Sequence, residues 1–518
     1  MNETYDIAVV GSGFGGSLLA MIAHRLGRSV ILLEKNKHPR FAIGESSTPL
    51  SNILLESLAN RYDLPGIARL SKWGSWQLTY PDVACGLKRG FTFYHHVLGT
   101  PATSDPDHQR QLLVAASPHD RIADTHWYRA DVDHLFVKEA QNIGVQYLDE
   151  VALQSVSQSE KEIRMQGRRN NKDFSVRAKF VVDATGPRGF LHHSLALQES
   201  PLPDFPATQA VFSHFTSVGR FADQVSDHGL EFPPYPVDDA AVHHVFDGGW
   251  IWVLQFNNGV TSAGVAATDK LAGRLRVAEG QAAWQRLLDL IPALKNQFAN
   301  SHAFQPFTYM PRVSFRSKTL VGKRWALLPS AAGFVDPLLS TGFPLTLLGV
   351  SRLAEIIERD WDKPEFTASL QSYASLTDNE LVATGDLIAA LYATMDSFST
   401  FASLSMLYFA AASFSESARR LGKAHLAQSF LLHDDPRFGP LMRRCCELAK
   451  NNSTQLEMDD LAHEISQAIE PINIAGLANP HRRNWHPVDA NDLLNSAAKL
   501  QSTKNQISEL LDRSGFWK

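Results

Sequence analysis

The residues most suggestive of chemistry near the start of the chain are three glycines, Gly11, Gly13 and Gly16, spaced as G-x-G-x-x-G. They follow a short apolar run over residues 5–10 and precede a helical pattern, and Glu34 ends the next apolar run. Glycines at this spacing allow a tight turn, a close backbone approach to a pyrophosphate, and close packing of a helix on a strand. The pattern therefore predicts a dinucleotide site at a helix N-terminus.

Glu34 also indicates which dinucleotide fits. A carboxylate at this point would accept hydrogen bonds from the adenosine ribose hydroxyls and would repel a 2′-phosphate, which disfavours NADP. The elements needed to position the glycines are a buried parallel strand over 5–10, a helix over 17–25 and a second strand over 29–33. A glycine-rich turn without a ligand is the alternative interpretation, and the acid after the second strand weighs against it.

Two later segments resemble FAD proteins of the glutathione-reductase-like superfamily. One is Phe180-Val-Val-Asp-Ala-Thr-Gly186, and the other runs from Trp325 through Ala-Ala-Gly to Asp336-Pro. Arg129 begins a stretch similar to the superfamily's Arg-x-x-x-Asp-x-x-Leu, in which the arginine contacts the cofactor. The resemblance implies that the dinucleotide is FAD and that the fold is α/β, with a Rossmann-like FAD-binding domain.

Four further segments resemble flavin-dependent halogenases. They are the loop Arg40-Phe-Ala-Ile-Gly-Glu-Ser-Ser-Thr-Pro49, the segment Asp336-Pro-Leu-Leu-Ser-Thr-Gly342, the tryptophan pair in Gly249-Trp-Ile-Trp-Val253, and Cys85-Gly-Leu-Lys-Arg-Gly-Phe-Thr-Phe93. In that family, reduced FAD, oxygen and a halide (chloride or bromide) give hypohalous acid, and a lysine passes the halogen to an aromatic ring. The resemblance implies that Lys88 is this catalytic lysine.

The resemblance also implies roles for other residues. Halide binding falls to Ser340, Thr341 and Gly342, while Trp250 and Trp252 separate the flavin from the substrate. The residues implied to bind FAD are Gly11, Gly13, Phe14, Gly15, Gly16, Glu34, Arg40, Glu45, Ser46, Arg129, Asp183, Gly186 and Asp336.

Each role has a plainer structural alternative. Lys88 could be a solvated strand residue, because lysines are mostly exposed. The two tryptophans could be ordinary core residues on one face of a strand. Residues 340–342 could form an ordinary turn at a helix start.

Several positions depart from the family pattern. Pro329-Ser330 replaces the usual Gly-Asp, so the ribityl contact must come from elsewhere, with Asp336 or a backbone group as candidates. Leu254-Gln255 replaces the Ile-Pro that ends the tryptophan signature. Leu339 occupies the place of a glutamate found in tryptophan halogenases, which favours the branch that acts on small phenols, since an electron-rich phenol needs less assistance at the ring.

The remaining sequence excludes several classes of function. No HExxH, CxxC or Gly-x-Ser-x-Gly spacing is present, so neither a metal site nor a serine elbow is predicted. A net charge of −5 argues against a nucleic-acid partner. No apolar stretch approaches the roughly 20 residues that span a bilayer, so no membrane association is expected. Only three cysteines occur, and no signal peptide is evident, which fits the cytoplasm.

The motifs predict an interleaved organisation of the 518 residues. A discontinuous FAD-binding domain would comprise residues 1–75, 125–190 and 305–360. Residues 76–124 and 191–304 would insert an antiparallel β-sheet domain on the substrate side, with alternating runs and Pro-rich breaks as its signs. Residues 361–518 carry helical patterning and would form a helical C-terminal region.

The resulting hypothesis is an FADH2-dependent halogenase of an electron-rich, phenolic aromatic, either free or carrier-bound. A flavin-dependent aromatic monooxygenase is the alternative, and a flavin-binding protein without catalysis is a third. Because no second dinucleotide fingerprint occurs, a separate NAD(P)H-dependent flavin reductase is expected to supply the reduced flavin.

Overall fold

The computed structural model of the protein describes residues 4–101, 105–203, 205–224, 231–451 and 455–517. Its strands are β1 (Thr4–Val10), β2 (Val30–Leu33), β3 (Cys85–Lys88), β4 (Gly90–His95), β5 (Gln111–Ala115), β6 (Asp124–Trp127), β7 (Gln146–Leu148), β8 (Val151–Gln158), β9 (Ile163–Arg169), β10 (Lys172–Asp183), β11 (Thr208–Thr216), β12 (Ala241–Phe246), β13 (Gly249–Gln255), β14 (Val260–Thr268), β15 (His302–Ala303), β16 (Thr308–Met310), β17 (Phe315–Arg316), β18 (Val321–Gly322), β19 (Trp325–Leu327), β20 (Gly333–Phe334) and β21 (Trp485–His486).

The helices alternate with these strands and then fill most of the C-terminal third. They are α1 (Phe14–Arg25), α2 (Pro49–Arg61), α3 (Pro65–Ala68), α4 (Trp73–Thr79), α5 (Arg129–Asn142), α6 (Phe190–Ser194), α7 (Asp269–Leu275), α8 (Gln281–Asp289), α9 (Pro292–Gln297), α10 (Pro329–Ala332), α11 (Gly342–Asp360), α12 (Phe366–Ala393), α13 (Phe398–Arg420), α14 (Gly439–Asn451), α15 (Gln455–Ile469), α16 (Ala490–Asn495) and α17 (Lys504–Ser514).

The first sheet is built around parallel strands in the order β19-β10-β1-β2-β7, and β18, β9 and β8 extend it in antiparallel fashion. Val10 pairs with both Leu33 and Asp183, so the carboxyl ends of three strands lie side by side. In such sheets the ligand lies beyond the carboxyl ends of the strands. The topology therefore brings the glycine turn, Glu34 and the turn after β10 to one edge.

The second sheet has the order β15-β11-β14-β13-β12-β4-β5-β21, with β16 paired to β11. Most of its pairs are antiparallel, but β4 with β12 and β5 with β21 are parallel. These two pairs join segments far apart in sequence, and β21 comes from the C-terminal region. Strands β3 and β6 form a separate two-stranded antiparallel sheet, and β3 packs against the end of β13 in the second sheet.

The C-terminal helices pack on one another and on the first part of the chain. Helix α12 packs on α11 and α14, and α13 packs on α2 and α15. Helix α13 is long and apolar enough to cross a membrane by length and composition, but 78% of its most apolar window is buried inside the protein. It is therefore weak evidence for a membrane span, since a core helix passes the same test.

The predicted fold class is confirmed: a Rossmann-like α/β sheet, a largely antiparallel second sheet and a helical C-terminal part. The first helix begins at Phe14 rather than at residue 17. Gly13 is its N-cap and has an extended backbone, so the turn after β1 is shorter than the apolar pattern predicted. The division into the three domain ranges stays a prediction.

Candidate active site

The glycine turn between β1 and α1 is closely packed against the loop after β10. Gly11 has a φ of +101°, and a Cβ there would lie 2.6 Å from the Ala184 carbonyl oxygen. A Cβ on Gly16 would lie 2.1 Å from the Gly11 carbonyl oxygen. Side chains at these positions would close the turn, so the glycines keep the N-terminus of α1 open.

A cavity of about 370 Å³ opens over this helix N-terminus, and we call it the first cavity. It lies against both large sheets and the start of α11. The sequence-predicted residues that line it are Gly13, Phe14, Gly15, Gly16, Arg40, Glu45, Ser46, Arg129, Gly186, Trp250, Trp252, Ser340, Thr341 and Gly342. Those that lie outside its lining are Gly11, Glu34, Asp183, Asp336 and Lys88.

Two arginines supply positive charge beside the glycine turn. Arg129 donates to both oxygens of Asp133 at 2.8 Å, and to the carbonyl oxygens of Ile43 and Gly44 at 3.0 and 2.8 Å. Arg40 lies 3.5 Å from the same aspartate. The arginines thus fix the loop over residues 40–46 against α5. A Cβ on the neighbouring Gly13 would lie only 3.3 Å from the Arg129 guanidinium.

Glu34 is buried at the end of β2 and is held by several donors. The backbone N–H and hydroxyl of Ser12 donate to one oxygen at 3.1 and 2.8 Å, and the Asn36 N–H donates to the other at 3.0 Å. Burial alone would raise the pKa of Glu34, but the Arg40 charge and these hydrogen bonds outweigh it and lower the pKa. The carboxylate is therefore ionised beside the turn.

Glu45 offers the first cavity a second buried carboxylate. One of its oxygens accepts a hydrogen bond from His214 Nε2 at 2.6 Å. The other is buried and has no hydrogen-bond partner among the described residues. Because Glu45 lines the first cavity, this oxygen is placed to accept a hydrogen bond from a hydroxyl group of a bound molecule.

These residues fit FAD. Its pyrophosphate needs glycines, helix N–H groups and positive charge, all of which meet beside Gly13. Its hydroxyls need acceptors, and Glu45 presents a buried carboxylate in the lining while Glu34 lies behind it. The fit rests on the glycine cradle, which any Cβ would fill, and on the unpaired Glu45 oxygen.

Asp183 and Asp336 are structural partners of the site rather than part of its lining. Asp183 accepts hydrogen bonds from the Thr185 hydroxyl at 2.5 Å and the Leu191 N–H at 2.6 Å, and so shapes the turn that carries Gly186. Asp336 accepts from four donors, described next. The ribityl contact stays a prediction for Asp336 or a backbone group, and Glu45 is a further buried carboxylate that does line the cavity.

The tryptophans form one wall of the first cavity. Trp250 and Trp252 lie on the same face of β13 with ring centroids 5.7 Å apart. The Trp250 indole N–H donates to Asp336 at 3.3 Å and to the Tyr392 hydroxyl at 3.0 Å. The other Asp336 donors are the Thr208 hydroxyl, the Tyr392 hydroxyl and the Leu338 N–H. Trp250 is thus held in place by hydrogen bonds from its indole N–H to Asp336 and Tyr392.

The segment before α11 turns its backbone toward the first cavity. Leu339 and Ser340 both have left-handed φ values, of 62° and 55°. Helix α11 then begins at Gly342 and runs for 19 residues. Ser340, Thr341 and Gly342 line the cavity at this helix N-terminus, where N–H groups favour an anion.

Lys88 is fully buried and contacts one lining residue of each of two cavities. Its ammonium donates to the Ser46 hydroxyl at 2.8 Å and to the Ser47 carbonyl oxygen at 2.6 Å, and it lies 3.9 Å from the centre of the Phe91 ring. Ser46 lines the first cavity. Burial lowers the pKa of Lys88, and the nearby charge of Asp124 raises it in part. The exposed alternative for Lys88 does not fit a side chain with no accessible surface.

The second cavity, of about 150 Å³, is lined by Phe91, whose ring the Lys88 ammonium contacts, although Lys88 itself lines neither cavity. Phe91 lines it together with two aromatic residues of α13, two carboxylates (Glu416 and Asp489) and other C-terminal residues. The lining residues used below are Phe91, Tyr408, Phe409, Ala412, Glu416 and Phe516.

The sequence interpretation missed Asp124, His243 and Glu416. Asp124 lies opposite Lys88 across β3 and β6, and His243 lines the first cavity beside Trp250. The signal for Asp124 was an acid within the strand segment just before Arg129, but the sequence does not reveal its partner strand. Glu416 carried no signal, because its helix resembles a core helix.

Comparisons with known proteins agree with the geometry. The family model described as tryptophan halogenase matches residues 123–401. Tetracycline 7-halogenase of Kitasatospora aureofaciens is 29% identical over 67% of this chain and 62% of its own length. Monodechloroaminopyrrolnitrin halogenase PrnC of Pseudomonas fluorescens is 25% identical over 76% of this chain and 69% of its own.

A solved structure has the same fold. The halogenase PltM in complex with phloroglucinol and FAD aligns with a TM-score of 0.80, over 92% of this chain and 99% of that one, at 24% identity. The tetracycline enzyme is matched over less than two thirds of its length, and the PltM identity supports the fold alone.

Proposed function

Because the chain belongs to the tryptophan halogenase family of flavin-dependent enzymes, we propose that it halogenates a small phenol and that Lys88 carries the halogen to the ring. The observation that carries this proposal is the position of the Lys88 ammonium. It is buried, bonded to a residue of the first cavity and in contact with a ring of the second.

The first cavity would hold FAD. The N–H groups at Gly13 to Gly16, with Arg40 and Arg129, would bind the pyrophosphate, and Glu34 and Glu45 would accept from hydroxyls. When bound in its reduced form, FAD supplies the activation of oxygen that the chemistry requires. The protein supplies position and exclusion of water.

The halide would bind at the start of α11. The N–H groups of Thr341 and Gly342 and the positive end of the helix dipole favour an anion there. The overall charge of −5 does not attract anions, so this local field must do so. The product that leaves this site is hypohalous acid.

The tryptophan wall keeps the aromatic substrate away from the flavin. Trp250 is held by Asp336 and Tyr392, so its indole cannot swing aside without breaking buried hydrogen bonds. A ring held behind this wall meets only the small hypohalous acid. Direct oxygenation is thereby suppressed.

Lys88 is suited to receive that small molecule. Hydrogen bonds to Ser46 and Ser47 use two of its three N–H groups and fix its orientation. Its lowered pKa makes a neutral amine accessible near neutral pH. The amine either orients the hypohalous acid by a hydrogen bond or captures the halogen as a haloamine.

The second cavity favours a small aromatic substrate. Its volume of about 150 Å³ suits a single ring, and Phe91, Tyr408 and Phe409 offer aromatic contacts. Glu416 supplies an acceptor for a phenolic hydroxyl. The structural neighbour PltM was solved with phloroglucinol, a small phenol, which supports this substrate class.

We further propose that a separate NAD(P)H-dependent reductase in the cytoplasm delivers the reduced flavin. The first sheet carries one glycine turn of the dinucleotide type, and FAD would occupy it. The three cysteines are buried and unpaired, which fits a reducing compartment.

The test is product analysis with a flavin reductase, NADH, FAD, bromide and phloroglucinol. The wild type should give bromophenols, and Lys88→Ala should lose at least about 10³-fold in product while NADH oxidation continues. Lys179→Ala, which removes a half-exposed lysine, is the matched control and should behave as wild type.

Three outcomes would contradict the proposal. Full bromination by Lys88→Ala would show that the halogen does not pass through this lysine. Hydroxylated product without need for halide would identify a monooxygenase. Tight FAD binding without turnover of any phenol or indole would indicate a flavin-binding protein without catalysis.

A further inference from the structure

Asp124 is a buried carboxylate with no role in the reaction as described so far. It lies on β6, directly opposite Lys88 in the antiparallel register with β3. One of its oxygens accepts a hydrogen bond from the Asn52 amide at 2.6 Å. The other is buried and has no hydrogen-bond partner among the described residues.

An unpaired buried carboxylate oxygen is costly, so its presence needs an explanation. Lys88 is the nearby cation that acts most strongly on Asp124, although the two groups form no direct ion pair among the described contacts. Burial raises the pKa of Asp124 and lowers that of Lys88, while their mutual attraction opposes both changes. Burial therefore brings the proton affinities of the two groups closer together than in water.

The other ionisable groups around this pair come from four elements. On α13, Glu416 and Tyr408 lie near Asp124, and Arg420 is already paired with Glu416 at 2.7 Å and lies 3.9 Å from Glu56 of α2. On β6 and β12, His126 and His243 lie near Lys88, and burial lowers the pKa of each to about 3.

These neighbours are poor proton acceptors for Lys88. The two histidines are too weakly basic, and the charge of Glu416 is offset by Arg420. Tyr408 already carries its proton, since burial raises its pKa. Asp124 alone combines a free, buried oxygen with a position in register with the lysine.

We propose that Asp124 is a positioning residue that holds the Lys88 proton while the lysine takes up halogen. This inference rests on the proposed relay through Lys88. The proton leaves Nζ for the free Asp124 oxygen by way of one bridging water, because the two groups do not touch, and its bonding electrons remain on nitrogen as a lone pair. The nitrogen bonds to the halogen of hypohalous acid as the O–X bond breaks.

The departing hydroxide then takes the proton from Asp124 and leaves as water. The result is a halogenated ammonium beside an Asp124 carboxylate, with the same total charge as at the start. No oxidant other than the hypohalous acid is needed.

The experiment measures Lys88 itself in the FAD-bound enzyme. Reductive methylation with formaldehyde and a borane, followed by peptide mass spectrometry, gives the pH at which the Lys88 amine becomes reactive. In the wild type this midpoint should lie well below the roughly 10.4 of an ordinary lysine. In Asp124→Asn it should fall by at least about one pH unit, because the counter-charge is gone.

The bromination rate of Asp124→Asn should fall although its Lys88 amine becomes more reactive toward methylation. Although Asp124→Asn makes the amine more available, its bromination rate should fall at least about tenfold, because no group holds the proton. A merely structural role would not move the methylation midpoint. Asp120→Asn removes a half-exposed carboxylate paired with Arg89 and is the matched control.

The outcomes separate this inference from the proposed function. An unchanged midpoint and rate in Asp124→Asn, with Lys88→Ala inactive, would overturn the role of Asp124 and leave the relay intact. Bromination by Lys88→Ala would overturn both. Should Asp124→Asn fail to fold, a wild-type midpoint near 10 would overturn the inference, and retention of the low midpoint by Asp124→Glu would support it.

Discussion

The first and second cavities are built in different ways. The first is shaped by backbone: a glycine turn, a strand end and two helix N-termini, each encoded by a short continuous motif. The second is shaped by side chains from α2, β4, β5, α13 and the C-terminal region, and apart from Pro49 and Phe91 these lie outside the motifs. A cofactor site repeated across a superfamily depends on backbone geometry, whereas a substrate site depends on packing that varies.

The largest effect is expected from closing the first cavity. Gly16→Val places carbon atoms against the Gly11 carbonyl oxygen, which lies 2.1 Å from the Cβ position. The variant should bind no FAD and lose all product, with a stability loss of about 1–3 kcal/mol or more. FAD absorbance after desalting and the thermal midpoint provide the measurement.

Gly273→Ala is the control, because a Cβ on Gly273 meets no atom within 4 Å. If Gly16→Val retained stoichiometric FAD, the glycine turn would not be the phosphate site.

Filling the second cavity should affect only the aromatic substrate. Ala412→Phe adds a ring to its lining. The variant should retain FAD and flavin-dependent oxidation of NADH but lose about 100-fold in halogenated product, as measured by chromatography. The same substitution at the exposed Ala299 should be silent. Equal loss of FAD and product in Ala412→Phe would mean that the two cavities are not independent.

Asp336, which holds Trp250 in the wall of the first cavity, should make the stability of the protein depend on pH. Burial raises the pKa of Asp336 from 3.8 to about 6, so the folded protein holds this proton more tightly than the unfolded chain. The stabilisation is fully present below about pH 4 and is lost as the pH rises through 6, a change of about 3 kcal/mol.

Asp336→Asn removes this titration. The difference in thermal midpoint between wild type and Asp336→Asn should therefore change in favour of the variant between about pH 4 and pH 7. Parallel pH curves for the two proteins would show that Asp336 does not titrate in this range.

The smallest effects separate the two tryptophans. Trp250→Phe removes a donor from buried Asp336 and should cost about 1.5–3 kcal/mol, whereas Trp252→Phe removes only its bond to the Ser262 hydroxyl and should cost about 1 kcal/mol. Urea unfolding measures both. A larger loss of stability in Trp252→Phe than in Trp250→Phe would mean that Trp252 is the more firmly held of the two.

Sequence patterns predicted the position of the first cavity well, because the spacing of glycines indicates where the backbone turns tightly. The turn at Gly11 to Gly16 and the segment at 340–342 lie where the motifs indicated. Asp183 and Asp336 accept hydrogen bonds within the turn after β10 and from Trp250, and the sequence motif did not reveal these partners. Their contact with FAD stays a prediction.

The second cavity could not be predicted from the chain. Lys88 carried a family pattern, but its partner Asp124 depends on the pairing of β3 with β6. Phe91, Glu416 and Phe516 meet only through the packing of α13 and the C-terminal residues on the second sheet. Helical periodicity predicts an apolar face but not the neighbour that covers it.

The central claim is that halogen is made at the first cavity and delivered through Lys88 to a ring in the second. Crystals of the FAD-bound enzyme soaked with its bromophenol product, measured at the bromine absorption edge, test it most directly. The account predicts one anomalous peak in the second cavity, beside Phe91 and within about 4 Å of the Lys88 side chain. A peak in the first cavity, on the flavin side of Trp250, would contradict it.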